Sequence, residues 1–486
     1  MTQTAFVLLS RVLPETPVES LEQYEATGGG EAFALAARSA PDAVIDVIES
    51  AGLRGRGGAG FATGTKWRSI RSGGPAAGIR YVVANGAEGE PGAFKDRMLM
   101  QRNPYRLLEG LLVAAVVMDS DEAFVAVKGS FAPEIARIER AMAEMDDAGW
   151  LIDVRLRLVR GPDEYLFGEE KALLEVIQGG EPLPRVLPPY LHGLFAAGPT
   201  EGWSAATPED PGGARSTSAT VEEPAPGSNP TLVNNVETLS NIPLIVTRGP
   251  EWFRSVGTDA SPGTVICTVT GDTNRAGVAE LEMGGSLAEV VDAVGGGVPG
   301  GRRVKGVLSG VSSPVIVGDG REVELSYEGF DAVGSSLGAA GFLVYDDRRD
   351  MVRVALAVST FLSVESCGQC PPCKLGSLAV TEMLETLVDA GGTADDLERV
   401  AARLRTVTDA NRCFLGRQEQ LVVSSLLERF PQDVALHLSG LHTQPVPPIT
   451  KLVDIVDGVA LLDDRQRLKR PDWTYGTTEQ HPTPSW

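Results

Sequence analysis

The chain has 486 residues, with 43 Lys plus Arg against 65 Asp plus Glu and a formal net charge of −22. That length exceeds the roughly 250–300 residues one hydrophobic core can organise, so several domains are expected. An apolar fraction of 43% excludes wholesale disorder, the acidic balance excludes nucleic acid as an expected partner, and no apolar run is long enough for direct membrane insertion.

Residues 1–40 read as an acidic, mixed lead-in, and no basic residue precedes the short apolar stretch Ala5–Leu9, so no secretory signal is expected. A domain of α/β type is predicted over 41–245. Val44, Ile45, Val47 and Ile48 recur at helical spacing between Pro41 and Gly52, and Tyr81–Ala84 reads as a buried strand. Helix Asn103–Met118, strands Ala123–Lys128 and Leu151–Leu158, and helix Glu170–Gln178 follow. Strands alternating with helices imply a largely parallel sheet. Residues 199–229, rich in Pro, Gly, Ser, Thr, Ala and Glu, interrupt this domain as an exposed, disordered insertion. From 246 to 335, short strands and glycine turns around a helix at Ser286–Val294 predict a small mixed module. Helical patterns at Val352–Val364, Leu375–Ala390, Ala394–Asp409 and Gln418–Phe430 predict a helical domain over 336–440. Residues 441–486 form a C-terminal extension with one strand-like stretch, Lys451–Leu462.

The five cysteines are too few for a disulfide scaffold of this size. Cys367, Cys370 and Cys373 form C-x2-C-x2-C, and Cys413 follows 40 residues after the third. Three closely spaced thiolates and a distant fourth suit the four iron corners of a [4Fe–4S] cluster. Structural zinc is the alternative metal, although it more often uses two paired units, and inert thiols are the bland alternative. Cys267 lies in a β-branched strand pattern and reads as a buried core residue.

Gly52–Phe61 packs five glycines and two arginines into ten residues. Glycines let backbone N–H groups turn toward an anion and let a flat ring approach closely, and Arg54, Arg56 and Lys66 are cations suited to a phosphate. A flexible turn is the alternative reading, because no Walker lysine follows. Asn85–Gly92, Tyr165–Glu170 and Asn234–Thr238 each put amides or carboxylates beside a predicted strand or helix end, where α/β proteins bind ligands; solvated loop residues are the alternative.

Taken together, Gly52–Phe61, Asn85–Arg97, Gly168–Leu174, Asn234–Leu239, Glu365–Gly376 and Cys413–Gly416 resemble, in order, the NADH-binding flavoprotein subunit of respiratory complex I and its relatives in NAD-linked formate dehydrogenases and hydrogenases. The resemblance implies an α/β domain for FMN and NADH, a β-grasp (SLBB-like) module, and a helical bundle carrying one [4Fe–4S] cluster. It implies an NADH dehydrogenase subunit passing a hydride from NADH to FMN, then single electrons to the cluster and a partner carrier. The implied FMN contacts are Gly55, Arg56, Gly57, Lys66, Asn85, Glu88, Gly168, Glu169, Asn234, Asn235 and Thr238, with Gly58 and Tyr165 completing the cofactor-binding set. NADH is expected near Phe61, Glu90, Glu170 and Tyr190, with Glu170 tuning the site, and Cys367, Cys370, Cys373 and Cys413 are the implied cluster ligands. No catalytic acid or base is expected. The implied partners are a small [2Fe–2S] subunit and a larger redox complex, in the cytoplasm, with any membrane association made through that complex.

Departures mark a divergent member. Ala87 stands where the family usually has Asp, Arg68-Ser69-Ile70 replaces an aromatic region, Gly161–Glu164 replaces a glycine-rich entry, and Lys171 replaces Thr. Two further readings remain: an electron-transfer module whose partner is ferredoxin or another protein, and a degenerate scaffold subunit.

Overall fold

The computed structural model describes residues 8–73, 78–197, 226–441 and 444–476; most of the insertion expected at 199–229 lies outside them. Strand β1 (Leu8–Leu9) opens the described chain. The lead-in is not a detached arm. Val12, Leu13, Leu21 and Tyr24 are buried, and the Val12 and Leu13 N–H groups donate to Glu280 Oε2 at 2.8 and 2.9 Å. The Tyr24 hydroxyl donates to Glu109 inside the helix Pro104–Met118. Long-range burial of this kind leaves no local periodic signal, which is why the sequence reads only as an acidic, mixed lead-in.

Four strands follow: β2 (Tyr81–Gly86), β3 (Glu122–Lys128), β4 (Arg155–Gly161) and β5 (Thr231–Asn235). They form one sheet in the order β4-β3-β2-β5, with every pair parallel. Alternation along β2 shows why both faces are apolar. Val82 and Ala84 join the core under helices Pro104–Met118 and Val236–Arg248, whereas Tyr81 and Val83 join Phe124, Phe167, Leu173 and Val233 on the opposite face. Asn103 caps the first of these helices by accepting from Arg106 N at 3.1 Å. The carboxyl ends of β2 and β5 bring Asn85 beside Asn235 in register.

The flanks of the long insertion meet. Gly193 N donates to Ser228 O at 2.8 Å and Ala197 N to Gly227 O at 3.0 Å, while Asn229 Nδ2 reaches the Leu194 and Phe195 carbonyls.

The second sheet contains β6 (Thr264–Gly271), β7 (Gly277–Glu282), β8 (Val304–Ser309), β9 (Ile316–Val317) and β10 (Gly341–Asp346), with β1 on its edge. Its order is β1-β7-β6-β10-β8-β9; β6 and β10 pair in parallel and the other pairs are antiparallel. Helix Leu287–Gly295 starts on a reciprocal capping box between Ser286 and Glu289. β10 lies beyond residue 335, so the helical region begins later than the sequence suggested.

Helices Met351–Glu365, Pro371–Ala390, Ala394–Thr406, Leu415–Arg429 and Pro431–Leu438 follow. The first four share a core including Val358, Leu362, Val380, Leu384, Leu404, Val422 and Leu426. The stretch read as one strand at Lys451–Leu462 is a hairpin of β11 (Leu452–Val456) and β12 (Val459–Leu462), turning through Asp457 and Gly458 at positive φ. No helix among the described residues is long and apolar enough to cross a membrane.

Candidate functional site

The glycine-rich loop runs from the helix Pro41–Ala51 to the helix Thr63–Ser72, whose amino end no side chain caps. Gly55 N donates to Phe61 O at 2.8 Å, closing the loop on itself. Gly57 packs against Asn235, where an added Cβ would lie 3.1 Å from the Asn235 Cβ. Gly58, at φ +127°, has open space where a side chain would stand. Gly60, at φ +63°, leaves room for the Tyr327 ring.

The guanidinium groups of the two loop arginines are engaged by partners within the protein. Arg56 is buried, donating through NH1 to the Tyr327 hydroxyl (2.9 Å) and through NH2 to Thr264 O (2.8 Å), while its backbone N–H donates to Thr238 Oγ1 (2.9 Å). Arg54 pairs with Glu328 at 2.5 Å and lies over the Tyr327 ring. The expectation of these cations at a phosphate is therefore corrected: their guanidinium groups bind the loop to the mixed sheet. Thr238 likewise spends its hydroxyl oxygen on the loop backbone.

Lys66, in the helix that follows the loop, is partly exposed and pairs with Glu170. Asn234 is buried and accepts from Trp67 Nε1 at 2.8 Å through Oδ1. Asn235 caps the helix Val236–Arg248, and its amide donates to Asp96 at 2.7 Å. Asn85 Nδ2 donates to Gly168 O at 3.0 Å, which joins the end of β2 to the Tyr165–Gly168 turn. Glu88 accepts from the N–H groups of Asp96 and Arg97 at 3.2 and 3.3 Å; burial, then the neighbouring Asp96 charge, pushes its carboxyl up to about 7. Glu169 caps the helix Glu170–Ile177, accepting from Lys171 N and Ala172 N. Ala87 is buried among Phe167 and Leu173, an apolar setting that would penalise an Asp side chain.

Among the residues expected near a nicotinamide, Phe61 is 57% exposed and Tyr190 44% exposed, and the Glu170 side chain is also open to solvent. Glu90 differs. It accepts from the Tyr165 hydroxyl at 2.5 Å and from Val311 N at 2.7 Å, so it joins the β2 loop to the mixed sheet instead of reaching outward. Gln418 Nε2 donates to the same Tyr165 hydroxyl at 2.8 Å, and the Tyr165 ring meets Phe361 edge-on. Tyr165 thus links the strand-end loops with the helical region.

Beyond it, Cys367, Cys370, Cys373 and Cys413 line one cavity with Leu166, Pro184, Ser366, Asn411, Arg412 and Leu415. Cys370 and Cys373 sit at the start of the helix Pro371–Ala390, where Pro371 and Pro372 occupy positions that need no backbone donor. The sulfurs receive donors: Arg412 N to Cys370 Sγ at 3.3 Å, Gln369 Nε2 to Cys367 Sγ at 3.7 Å, and the Ser366 hydroxyl lies 3.4 Å from Cys373 Sγ. Burial pushes the Cys373 thiol up to about 11 and that of Cys413 up to about 12, so metal binding there displaces protons. Among the described residues no three Cys, His, Asp or Glu side chains converge on a single ion. Cys267 is buried in β6, apart from this group.

Residues 48–244 match the Nuo51 FMN-binding domain, and residues 353–437 match the NADH-ubiquinone oxidoreductase-F iron-sulfur binding region. The second NADH-quinone oxidoreductase F-subunit of Rhizobium meliloti is 36% identical over 431 residues, covering 86% of this chain and 94% of that protein. The chain belongs to the family of NADH-quinone oxidoreductase F-subunits. Within that family, the F-subunit of Mycobacterium bovis is 33% identical over 432 residues, spanning 86% of this chain and 90% of the relative. The NADP-reducing hydrogenase subunit HndC of Solidesulfovibrio fructosivorans is 30% identical over 431 residues, with 86% and 81% covered. A solved NAD+-reducing [NiFe]-hydrogenase in the H2-reduced state superposes with a TM-score of 0.71 at 31% identity, covering 87% of this chain and 67% of that one. The FMN-binding match spans the parallel sheet and the glycine loop, and the iron–sulfur match spans all four clustered cysteines.

Lys171 and Gln418 were absent from the sequence-derived site. Lys171 donates to the Arg412 carbonyl, one residue before Cys413, and Gln418 holds Tyr165. Only the departure from Thr at position 171 signalled either residue.

Proposed function

We propose that this chain is the NADH-oxidising flavoprotein subunit of a larger redox complex, working beside a small [2Fe–2S] partner. When bound, FMN supplies a hydride acceptor for NADH and the [4Fe–4S] cluster supplies a one-electron carrier. The observation that carries this reading is a shared wall. Leu166 and Pro184 of the α/β domain line the cysteine cavity, and Leu166 lies two residues before Gly168, which Asn85 holds against the end of β2.

The chain's own residues position and shield. Gly57, Gly58 and the uncapped amino end of Thr63–Ser72 offer backbone room and N–H groups for a phosphorylated ligand, with Lys66 as its cation. Asn85, Asn234 and Asn235 place amides at the strand ends, while the amide nitrogen of Asn234 is left for an acceptor once Trp67 has engaged its oxygen. Phe61 and Tyr190 present exposed rings for stacking, and Glu170 presents an acceptor for ribose or carboxamide groups. Cys367, Cys370, Cys373 and Cys413 hold the cluster, and the Tyr165 and Lys171 contacts keep the two sites at a fixed separation. The mixed sheet, whose parallel centre β6–β10 is flanked by antiparallel strands and accompanied by the helices Leu287–Gly295 and Tyr327–Ala332, is read as an SLBB-like β-grasp module that buttresses the glycine loop through Tyr327.

Anaerobic titration of the reconstituted protein with NADH tests the proposal. NADH should bleach the flavin absorption in the visible region and then elicit the paramagnetic signal of a reduced cluster. Bleaching by reduced ferredoxin but not by NADH would replace it with the electron-transfer module.

A further inference from the structure

Residues beyond the helix Pro431–Leu438 fall outside both family matches. From Lys451 to Trp473 they lie along the seam between the α/β domain and the cysteine-bearing helices. Lys469 Nζ donates to Glu365 Oε2 at 2.7 Å and Gln466 Nε2 to Glu365 Oε1 at 2.8 Å. Lys451 Nζ lies 3.8 Å from Glu365 Oε1 and donates to the Asp163 carbonyl at 2.7 Å. Glu365 ends the helix that leads directly into Cys367, and it also accepts from the Tyr165 N–H at 3.1 Å.

The far side of the cysteine loop is held too. Lys374, directly after Cys373, donates to the carbonyls of Ser363 (3.0 Å), Ser366 (2.8 Å) and, in the extension, Pro471 (2.5 Å). Trp473 Nε1 donates to Val364 O at 3.0 Å. Asp163 pairs with Arg465 at 2.9 Å, and Glu164 lies 3.9 Å from Lys469 Nζ. The extension therefore delivers two lysine side chains, Lys451 and Lys469, to a buried pocket that also holds Lys128, where Glu365 is the carboxylate both reach and Asp463 is a second buried carboxylate beside Lys451.

We infer that residues 451–473 form a strap whose positioning residues, Lys469 and Lys451, raise the reduction potential of the cluster and hold the Cys367 loop in place through Glu365. The inference rests on the cluster reading of the four cysteines. A four-thiolate cluster is anionic, and fixed positive charge in a low-dielectric surrounding favours the form carrying one more electron. Removing one ammonium must then move the potential downward.

The test is an anaerobic redox titration followed by electron paramagnetic resonance, with iron content measured on the same samples. Full-length wild type, Lys469→Met, Lys451→Met and Lys469→Arg are compared. Both Met variants should retain iron and show a more negative cluster potential, while Lys469→Arg should restore the wild-type value. Lys451→Met alone decides the matter if Lys469→Met fails to hold iron. An unchanged potential at full iron content would overturn the inference, as would loss of iron from both Met variants, which would assign the lysines to folding. Wild type lacking iron would instead remove the cluster reading underneath it.

Discussion

Lys469 and Glu365, 104 residues apart, meet at 2.7 Å with neither side chain exposed to solvent. Burial alone would push the Glu365 carboxyl up, but Lys451 and Lys469 outweigh it and hold the group below the usual carboxylate range. Glu365→Ala would leave two buried ammonium groups without their carboxylate. The expected loss is about 3–5 kcal/mol, read as a lower midpoint of unfolding in denaturant. An unchanged midpoint would mean that water enters the seam.

Cys367→Ser, Cys370→Ser, Cys373→Ser and Cys413→Ser should each lose or impair iron binding, because each removes one thiol from a cavity lined by four. Cys267→Ser should retain full iron, since that thiol is buried in β6. Iron per chain, measured after anaerobic purification, separates the two groups.

Tyr165→Phe removes a hydroxyl that donates to Glu90 and accepts from Gln418, leaving both without that partner. A stability loss of about 1–3 kcal/mol is expected, visible as a lower thermal midpoint. Because the same hydroxyl joins the strand-end loop to the helix after Cys413, reduction of the cluster by NADH should also slow in stopped-flow measurements.

Glu419 is buried beside Ser359, and burial pushes its carboxyl from the ordinary 4.5 up to about 8. The folded chain thus holds a proton that the unfolded chain releases. Stability should fall as pH rises from about 4.5 toward about 8 and level off above. Glu419→Gln should flatten that part of the stability profile measured by denaturant unfolding, and a persisting slope would assign it elsewhere.

Features written in local sequence were readable. The spacing of Cys367, Cys370 and Cys373 and the alternation of strands and helices each depend on residues a few positions apart. The roles of Arg56 and Glu90 were not readable, because they are decided by Thr264 and Tyr327 in one case and by Val311 in the other. A glycine-rich loop with arginines looks the same whether its cations face a phosphate or a neighbouring sheet. The lead-in and the strap were obscured for a related reason: their burial is set by Glu280, Glu109 and Glu365, all far away in the chain. Ala87 was seen as a departure from the family's Asp, and the packing of Phe167 and Leu173 supplies a reason.

The paired flanks at Gly193–Ser228 and Ala197–Gly227 have a consequence for how this protein tolerates change. The chain departs and returns at one hydrogen-bonded neck, so β5 keeps its register on β2 whatever number of residues lies between. Closure entropy grows only slowly with the length of such an excursion. Lineages could therefore lengthen, shorten or replace the segment without disturbing the sheet, and the same neck is a natural place to graft a tag or a foreign domain.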